Sequence, residues 1–405
     1  MRDGWVETTL AHVAEVNPRV GGVDSEAPFI TMADVDEWGR WARASGPRAN
    51  RGGAKAIGGD VLVARITPCL ENGKIAQVPH EWGPVGGSTE FLVVRAGAQV
   101  LPDYLYYWAQ EPRTHLRSTR RMIGTSGRKR VSAGDYEQLA FLLPPIEEQR
   151  RIVDLMSHVD GDIETKVSEI SATIRCWTGA LRAAQPTKGA EHPLTRIFSF
   201  VIGGAWGSPP GEDETNVLAL GTSAFAGDAL TVDPGRGTER SLSVDRAQKR
   251  GIMRGDILLE RSGGSPTQPV GRVIRALEDS QHVVPSDFQR LLRPDTELID
   301  PGFAFWTLWM NYQDGVVLPY QKNTTSIRNL QVTEYLNNAR IVIPDMSAQR
   351  DWVALAQQFE HLVDTQRVQL GRSRALRSSL LTALLSGEHA VPDSYDEFIR
   401  DEGAA

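Results

Sequence analysis

The sequence predicts an α+β protein: two α/β domains in tandem, each followed by a long helix, with the two helices pairing as an antiparallel coiled coil. Three observations predict it. A stretch from Leu142 to Leu181 carries apolar residues at helical spacing over many turns. A second stretch of the same kind begins at Val342. The globular sequence ahead of each stretch repeats a set of short motifs in the same order, which marks an internal duplication.

Pro144 and Pro145 end an extended segment, and Pro145 can open a helix because its missing N–H would be unpaired in the first turn anyway. Glu147 and Glu148 then complement the helix dipole. Ile152, Met156, Val159, Ile163, Val167, Ile170, Ile174, Trp177 and Leu181 follow at steps of three and four, with a short stutter at Ile163, which is a coiled-coil seam. In the second stretch Val342-Ile343-Pro344 repeats Leu142-Leu143-Pro144, and Gln349-Arg350 repeats Gln149-Arg150. Its seam runs through Trp352, Leu355, Phe359, Val363, Gln366, Leu370, Leu376, Leu380 and Leu384. Neither helix can bury its seam alone. A globular domain between them favours an antiparallel pair.

The boundaries follow: a first domain over residues 1–145, a first helix and linker over 146–186, a second domain over 187–345, a second helix over 346–390, and an acidic tail over 391–405 expected to be disordered. In the first domain, residues 9–16 read as a short strand or helical turn, 29–32 as a strand and 39–59 as a loop. Gly59-Asp60 is a turn leading into an alternating strand that ends at Arg65; strands at 73–78 and 90–95, a helix opened by Pro102 and a strand at 139–143 complete it. The second domain repeats the order: Gly255-Asp256 with a strand to Arg261, Gly271-Arg272-Val273, Pro301 with an aromatic helix, and Thr325-Ser326 with Arg328. The glycine-rich Gly203–Gly207 reads as a loop.

No apolar run is long enough for a membrane span, and the N-terminal residues lack a signal-peptide core. The two cysteines, Cys69 and Cys176, suit a reducing cytosol. No Cys/His cluster has zinc-ligand spacing, no phosphate-cradling Gly-x-x-x-x-Gly-Lys loop occurs, and no Gly-x-Ser-x-Gly elbow or amino-methyltransferase motif is present. The expectation is a chain without catalytic machinery or a cofactor of its own.

The formal net charge is −7, which taken alone argues against nucleic acid. Its distribution argues the other way. From Arg113 to Arg130 there are seven Lys/Arg residues and no acid, around a Gly-Thr-Ser-Gly loop that could approach a backbone closely. A charge run is commonly a solvated face; the missing acids in an acidic chain favour DNA contact. Candidates are Arg120, Arg121, Arg128, Lys129 and Arg130 in the first domain and Lys322 and Arg328 in the second. Arg65 and Lys74 flank one loop, and Arg261 and Arg272 flank its repeat. They are either further contacts or braces of a sheet edge.

The run Phe141-Leu142-Leu143-Pro144-Pro145-Ile146-Glu147-Glu148-Gln149-Arg150-Arg151-Ile152-Val153, with Gly59-Asp60-Val61-Leu62 and Gly255-Asp256-Ile257-Leu258, resembles the specificity subunits of type I restriction-modification systems. The resemblance implies two target-recognition domains, each reading one half of a split double-stranded DNA target. It implies helices that set the half-site spacing and dock two methyltransferase subunits. S-adenosylmethionine would sit on those subunits, and ATP on restriction subunits where these join. Glu148, Gln149, Ile152, Gln349 and Trp352, at the two helix entries, are the expected partner contacts. The second entry keeps Pro344 and Gln349 but lacks the acidic pair. The resemblance implies a cytoplasmic, non-catalytic chain. Three other readings stay open: a specificity subunit of a related methylation-based phage-defence system, a coiled-coil protein scaffold without DNA binding, and an independent DNA-binding regulator.

Overall fold

The strand entered by Gly59-Asp60 shows how each domain is built. In the computed structural model, which describes residues 4–49, 51–125, 128–227, 229–264, 268–324 and 327–397, Val61–Ala64 is an inner strand with every residue buried. It pairs antiparallel with Phe91–Ala96 on one side and Ile75–Gln77 on the other, and Ala14–Val16 closes the far edge. Both faces are covered, so the run reads as continuous apolar sequence rather than the expected alternation. Val61, Val63, Leu92 and Val94 face a core with Tyr104, Tyr107 and Trp108. Leu62, Phe91 and Val93 face a second core with Ile30 and Val85.

The chain divides into two units: Met1–Ser168 with Arg367–Ala405, and Glu169–Gln366. In the first, a small second sheet joins Phe29–Ile30, Val85–Gly87 and Ala54–Ala56. Ala54–Ala56 falls where the sequence suggested loop, because Ala-Lys-Ala carries no strand propensity and long-range pairing alone selects it. At Gly53 (φ 142°) a Cβ would lie 2.0 Å from the Gly87 carbonyl oxygen, so only glycine lets the two backbones meet. The helix Pro102–Gln110 opens on its proline and buries Tyr104 through Ala109. Residues 9–16, read as strand or turn, are both: Val6–Thr9 pairs with Ala140–Leu143, Leu10–Val13 is a helical turn and Ala14–Val16 joins the main sheet.

The second unit repeats the plan. Its main sheet runs Phe198–Gly203, Gln289–Pro294, Ile257–Glu260, Val273–Arg275, and Ala190–Pro193 pairs with Arg340–Ile343. Pro301–Gln313 is the aromatic helix. Residues 204–207 are irregular, as the glycine-rich run suggested.

Two polar devices recur at matching positions. Asp60, 2% exposed as a side chain, takes both forks of Arg95 at 2.8 and 2.7 Å; Asp256, also 2% exposed, takes Arg293 at 2.8 and 2.7 Å. In each case the same carboxylate accepts a backbone N–H three residues upstream, from Ile57 or Met253. The second device is the glutamine at each helix entry. Gln149 accepts from the Leu101 N–H at 2.9 Å and donates to the Gln99 and Pro144 carbonyls at 2.9 and 3.0 Å. Gln349 accepts from Asp300 at 2.7 Å and donates to Pro344 and Leu298 at 2.9 and 3.5 Å. Each glutamine ties a long helix to the start of its own domain's aromatic helix. Gln149→Ala leaves a backbone N–H without its acceptor at the domain–helix junction. It should destabilise by about 1–3 kcal/mol, read as a lower urea midpoint.

The long helices are Ile146–Ala183 and Met346–Leu385. In the first unit Asp160 meets Arg377, and Asp162 meets Ser373 at 3.2 Å. In the second, the Trp352 Nε1–H donates to the Leu181 carbonyl at 2.9 Å, Gln366 to Thr173 at 3.1 Å, and Trp177 packs on Phe359. Within each unit the N-terminal half of one helix thus meets the C-terminal half of the other, so they pair antiparallel. They also finish each domain's core. Ile152, Met156, Leu381, Leu384 and Leu385 join the first; Leu181, Trp352, Ala356, Phe359 and Val363 join the second.

The second seam differs from the expectation at one place. Leu376 is 61% exposed and Arg377 is buried at 5%. Gln349, Ala356, Val363, Leu370, Arg377 and Leu384 form an unbroken heptad stripe of buried residues, so an arginine occupies a core position and its acid partner, Asp160, comes from the other helix. On the first helix Val167 is likewise 40% exposed. Where the sequence suggested disorder from residue 391, residues 391–397 pack on the first unit. Val391 is buried, Arg151 pairs with Asp393 and Asp396, and the Tyr395 hydroxyl donates to Asp154 at 2.8 Å. The rest of the acidic tail lies outside the described residues.

Candidate nucleic-acid interface

The basic run of the first unit folds as a helix followed by a return strip. Pro112–Arg120 is capped by Glu111, whose carboxylate accepts the Thr114 N–H at 2.6 Å, and its last turn carries Arg117 and Arg120. Ile123 and Arg130 then exchange backbone hydrogen bonds at 2.9 Å. The returning strand lies along the extension of the main strand: Thr67 N–H donates to Lys129 at 3.0 Å and Val131 N–H to Arg65 at 3.0 Å. Arg65, Arg121, Arg128, Lys129 and Arg130 are thereby gathered at one edge. Arg128, Lys129 and Arg130 are exposed. The Ser126-Gly127 part of the intervening loop lies outside the described residues.

The second unit builds the same strip. Ser262–Gly264, Ile327–Leu330 and Gln321–Thr324 pair in that order, and Leu330 N–H donates to Arg261 at 2.8 Å, as Val131 does to Arg65. On this register Arg261 stands for Arg65, Arg328 for Lys129 and Lys322 for Ile123. Lys322 is exposed, 3.8 Å from Glu334. Thr325-Ser326, matched to Thr125-Ser126 from sequence, lies outside the described residues.

The strip cations differ in how they are held. Arg130 forms three hydrogen bonds to Glu90, at 3.2, 2.9 and 2.7 Å, and that bonding holds the Glu90 carboxyl below its usual range against the opposing effect of burial. Arg121 donates to the Asp135 carbonyl. Arg65 is half-buried, with its Nε lacking a hydrogen-bond partner, and borders a cleft with Arg19 and Lys55. Arg120 is exposed at the helix end, beside Trp38 and Leu116.

Several expected site residues are placed elsewhere. Lys74 is not brought to the strip; its Nζ donates to the Met32 carbonyl at 2.8 Å. Arg272 is corrected from DNA contact to brace: it binds Glu260 through two forks at 2.9 and 2.6 Å, and that carboxylate is fully buried. The partner contacts expected at the helix entries are corrected too. Glu148, Gln149, Ile152, Gln349 and Trp352 are all buried within this chain, at 6%, 0%, 0%, 1% and 3% exposure. The amides are taken up by backbone groups and the apolar side chains by the cores, which leaves no surface for a second protein. Sequence reasoning missed the Asp60–Arg95 and Asp256–Arg293 braces. Their signal was present, since the strand that pairs beside each Gly-Asp strand, Phe91–Ala96 or Gln289–Pro294, carries the arginine in both repeats. It also missed Arg290.

Comparison with known proteins now bears on this geometry. Residues 5–172 match the model of the type I restriction modification DNA specificity domain. The EcoAI type I restriction enzyme specificity subunit of Escherichia coli is 31% identical over 215 residues, 48% of this chain and 36% of that protein. Over residues 5–172 the chain is thus similar to the specificity domain of type I restriction-modification systems. A second specificity subunit of that organism, from the EcoEI enzyme, is 29% identical over 171 residues, 38% of this chain and 27% of that protein. The matched part of the chain spans about a third, or less, of the length of these curated relatives. A solved chain from work on complex assembly and conformational transition of the type I restriction-modification system shares the fold. It matches 95% of this chain and 98% of its own length, with a TM-score of 0.54 at 20% identity.

Proposed function

We propose that this chain is the DNA sequence-recognition subunit of a type I restriction-modification complex. Each domain reads one half of a bipartite double-stranded target, and the chain itself performs no chemistry. The observation that carries the reading is the basic strip, built by the same pairing beside the same arginine, Arg65 or Arg261, in both repeats of a chain whose residues 5–172 match the specificity-domain model. Equal scaffolds with different side chains suit one protein that reads two different half-sites. Two methyltransferase subunits are the proposed partners, bringing S-adenosylmethionine, with ATP-using restriction subunits as further members. Because the helix-entry residues are buried, those partners would dock on the outward faces of the helices.

A cytoplasmic location accords with this role, and no helix among the described residues is long and apolar enough to cross a membrane. Among the described residues no group of His, Cys, Asp and Glu is arranged to hold a metal ion.

The test is a binding titration of the full chain on duplex DNA across a salt series, with and without the methyltransferase. Replacing Arg120, Arg121, Arg128, Lys129 and Arg130 together by Ala should weaken binding on all sequences. It should lower the salt slope by about 1 for each of these side chains that pairs with a phosphate. An unchanged slope removes the strip from the interface. A wild-type chain that binds the methyltransferase but no DNA favours a protein scaffold instead.

A further inference from the structure

The two domains depart from one another at a sheet position close to the strip. In the first unit the main sheet sets Leu92 opposite Val63, and Leu92 is fully buried in the core. In the second the same pairing sets Arg290 opposite Leu259. A guanidinium cannot close an apolar core. Arg290 instead borders a cleft of about 590 Å³ with Arg261, Thr195, Val201, Gln331 and Asn337. Gly203 on the neighbouring strand makes room for it; a Cβ there would stand 3.1 Å from Arg290 Nη1.

The cleft is electrostatically incomplete. Burial makes Arg290 hold its proton less firmly than usual, and the charge of Arg261 adds to this, while Asp287 acts in the opposite direction. Among the described residues neither guanidinium is hydrogen-bonded to a carboxylate: Arg290 Nη1 donates to the Gln289 carbonyl at 3.1 Å and Arg261 Nη1 to the Asp287 carbonyl at 3.5 Å. Glu334 also borders the cleft, but stands 3.8 Å from Lys322. Two like charges brought together and partly desolvated are unfavourable unless an anion joins them. Paired guanidinium forks match the oxygens of a phosphate, and the cleft volume is within the range of small-ligand sites.

We propose that Arg261 and Arg290 together bind a phosphate group in this cleft, and that the group is a backbone phosphate of the DNA held by the second domain. The second clause rests on the function proposed above. The first domain has no arginine at this position, because Leu92 fills it. Arg290 is thus a DNA-positioning residue of one domain only.

The experiment has two arms, both on the full chain. In the first, duplex DNA is titrated across a salt series against wild type, Arg290→Leu, Arg290→Lys and Arg261→Gln. Leucine is the residue the first domain carries at this place, and lysine keeps the charge. Arg290→Leu and Arg261→Gln should each lower the salt slope by about 1, on target and unrelated DNA alike, and Arg290→Lys should keep it. In the second, melting without DNA is followed in inorganic phosphate against chloride at equal ionic strength. Wild type should melt higher in phosphate, and Arg290→Leu should not respond. A slope that falls with Arg290→Leu and is kept by lysine establishes a DNA phosphate. An unchanged slope with an Arg290-dependent phosphate response overturns the DNA source and leaves a free phosphate as ligand. No response in either arm overturns the site. If the wild type binds no DNA at all, the proposed function fails, and the phosphate arm still decides whether the cleft is an anion site.

Discussion

Arg272→Ala should lower the unfolding free energy of the protein by about 3–5 kcal/mol, the range for removing one member of a buried ion pair. The carboxylate of Glu260 is 0% exposed and is held by two guanidinium hydrogen bonds, at 2.9 and 2.6 Å. Removing the guanidinium leaves that charge buried without its partner, and the Phe225 carbonyl loses its donor at 2.9 Å as well. The first domain shows the alternative solution. Ala64 stands where Glu260 does, and Lys74 turns to a backbone carbonyl. The double change Glu260→Ala with Arg272→Lys should therefore recover most of the loss, a coupling that a double-mutant cycle reads directly. Urea unfolding measures the stability, and a salt series on DNA measures the competing role. A variant of normal stability with a reduced salt slope would return Arg272 to the DNA surface.

Asp160→Ala should be comparably damaging, by about 3–5 kcal/mol. Arg377 sits in the heptad stripe of the second helix at 5% exposure, with its guanidinium on Asp160, which also accepts the Tyr107 hydroxyl at 2.9 Å. Without Asp160 the arginine is an unpaired charge inside a helix–helix seam, and the tyrosine keeps only the longer contact to Ser157 at 3.3 Å. The double variant Asp160→Ala with Arg377→Leu restores an apolar heptad position and should melt well above the single variant. If Asp160→Ala unfolds at the wild-type urea concentration, the pair is not a structural element of the seam. The second unit has a related grip, in which Arg275 pairs with Glu360 on the helix that follows its own domain.

Both results turn on arginines whose roles a linear reading cannot assign. Arg272, Arg377 and Arg290 look alike in sequence, as cations among mixed neighbours. One braces a buried carboxylate, one lies in a seam and one borders an open cleft. What separates them is the identity of a residue far along the chain, and that residue is supplied by strand pairing or helix pairing. The same holds for Gln149 and Trp352. Their repetition in both halves marked them as important, and the family pattern suggested partner contact. Burial shows that they hold the chain to itself.

The sequence by itself determined the duplication, the two long helices, their antiparallel pairing and the central strands around 61–64, 75–77 and 91–96 of the first domain. These follow from local chemistry: proline at the helix entries, apolar residues at heptad spacing, and glycine-aspartate turns ahead of apolar runs. It also placed the basic strip, because seven cations without an acid are visible as composition. Tertiary structure alone decided which cations are free to meet a ligand and which are already paired. A charge's role depends on where its partner lies, and partners such as Glu260, Asp160 and Glu90 reach their arginines through folding, not through nearness in sequence alone.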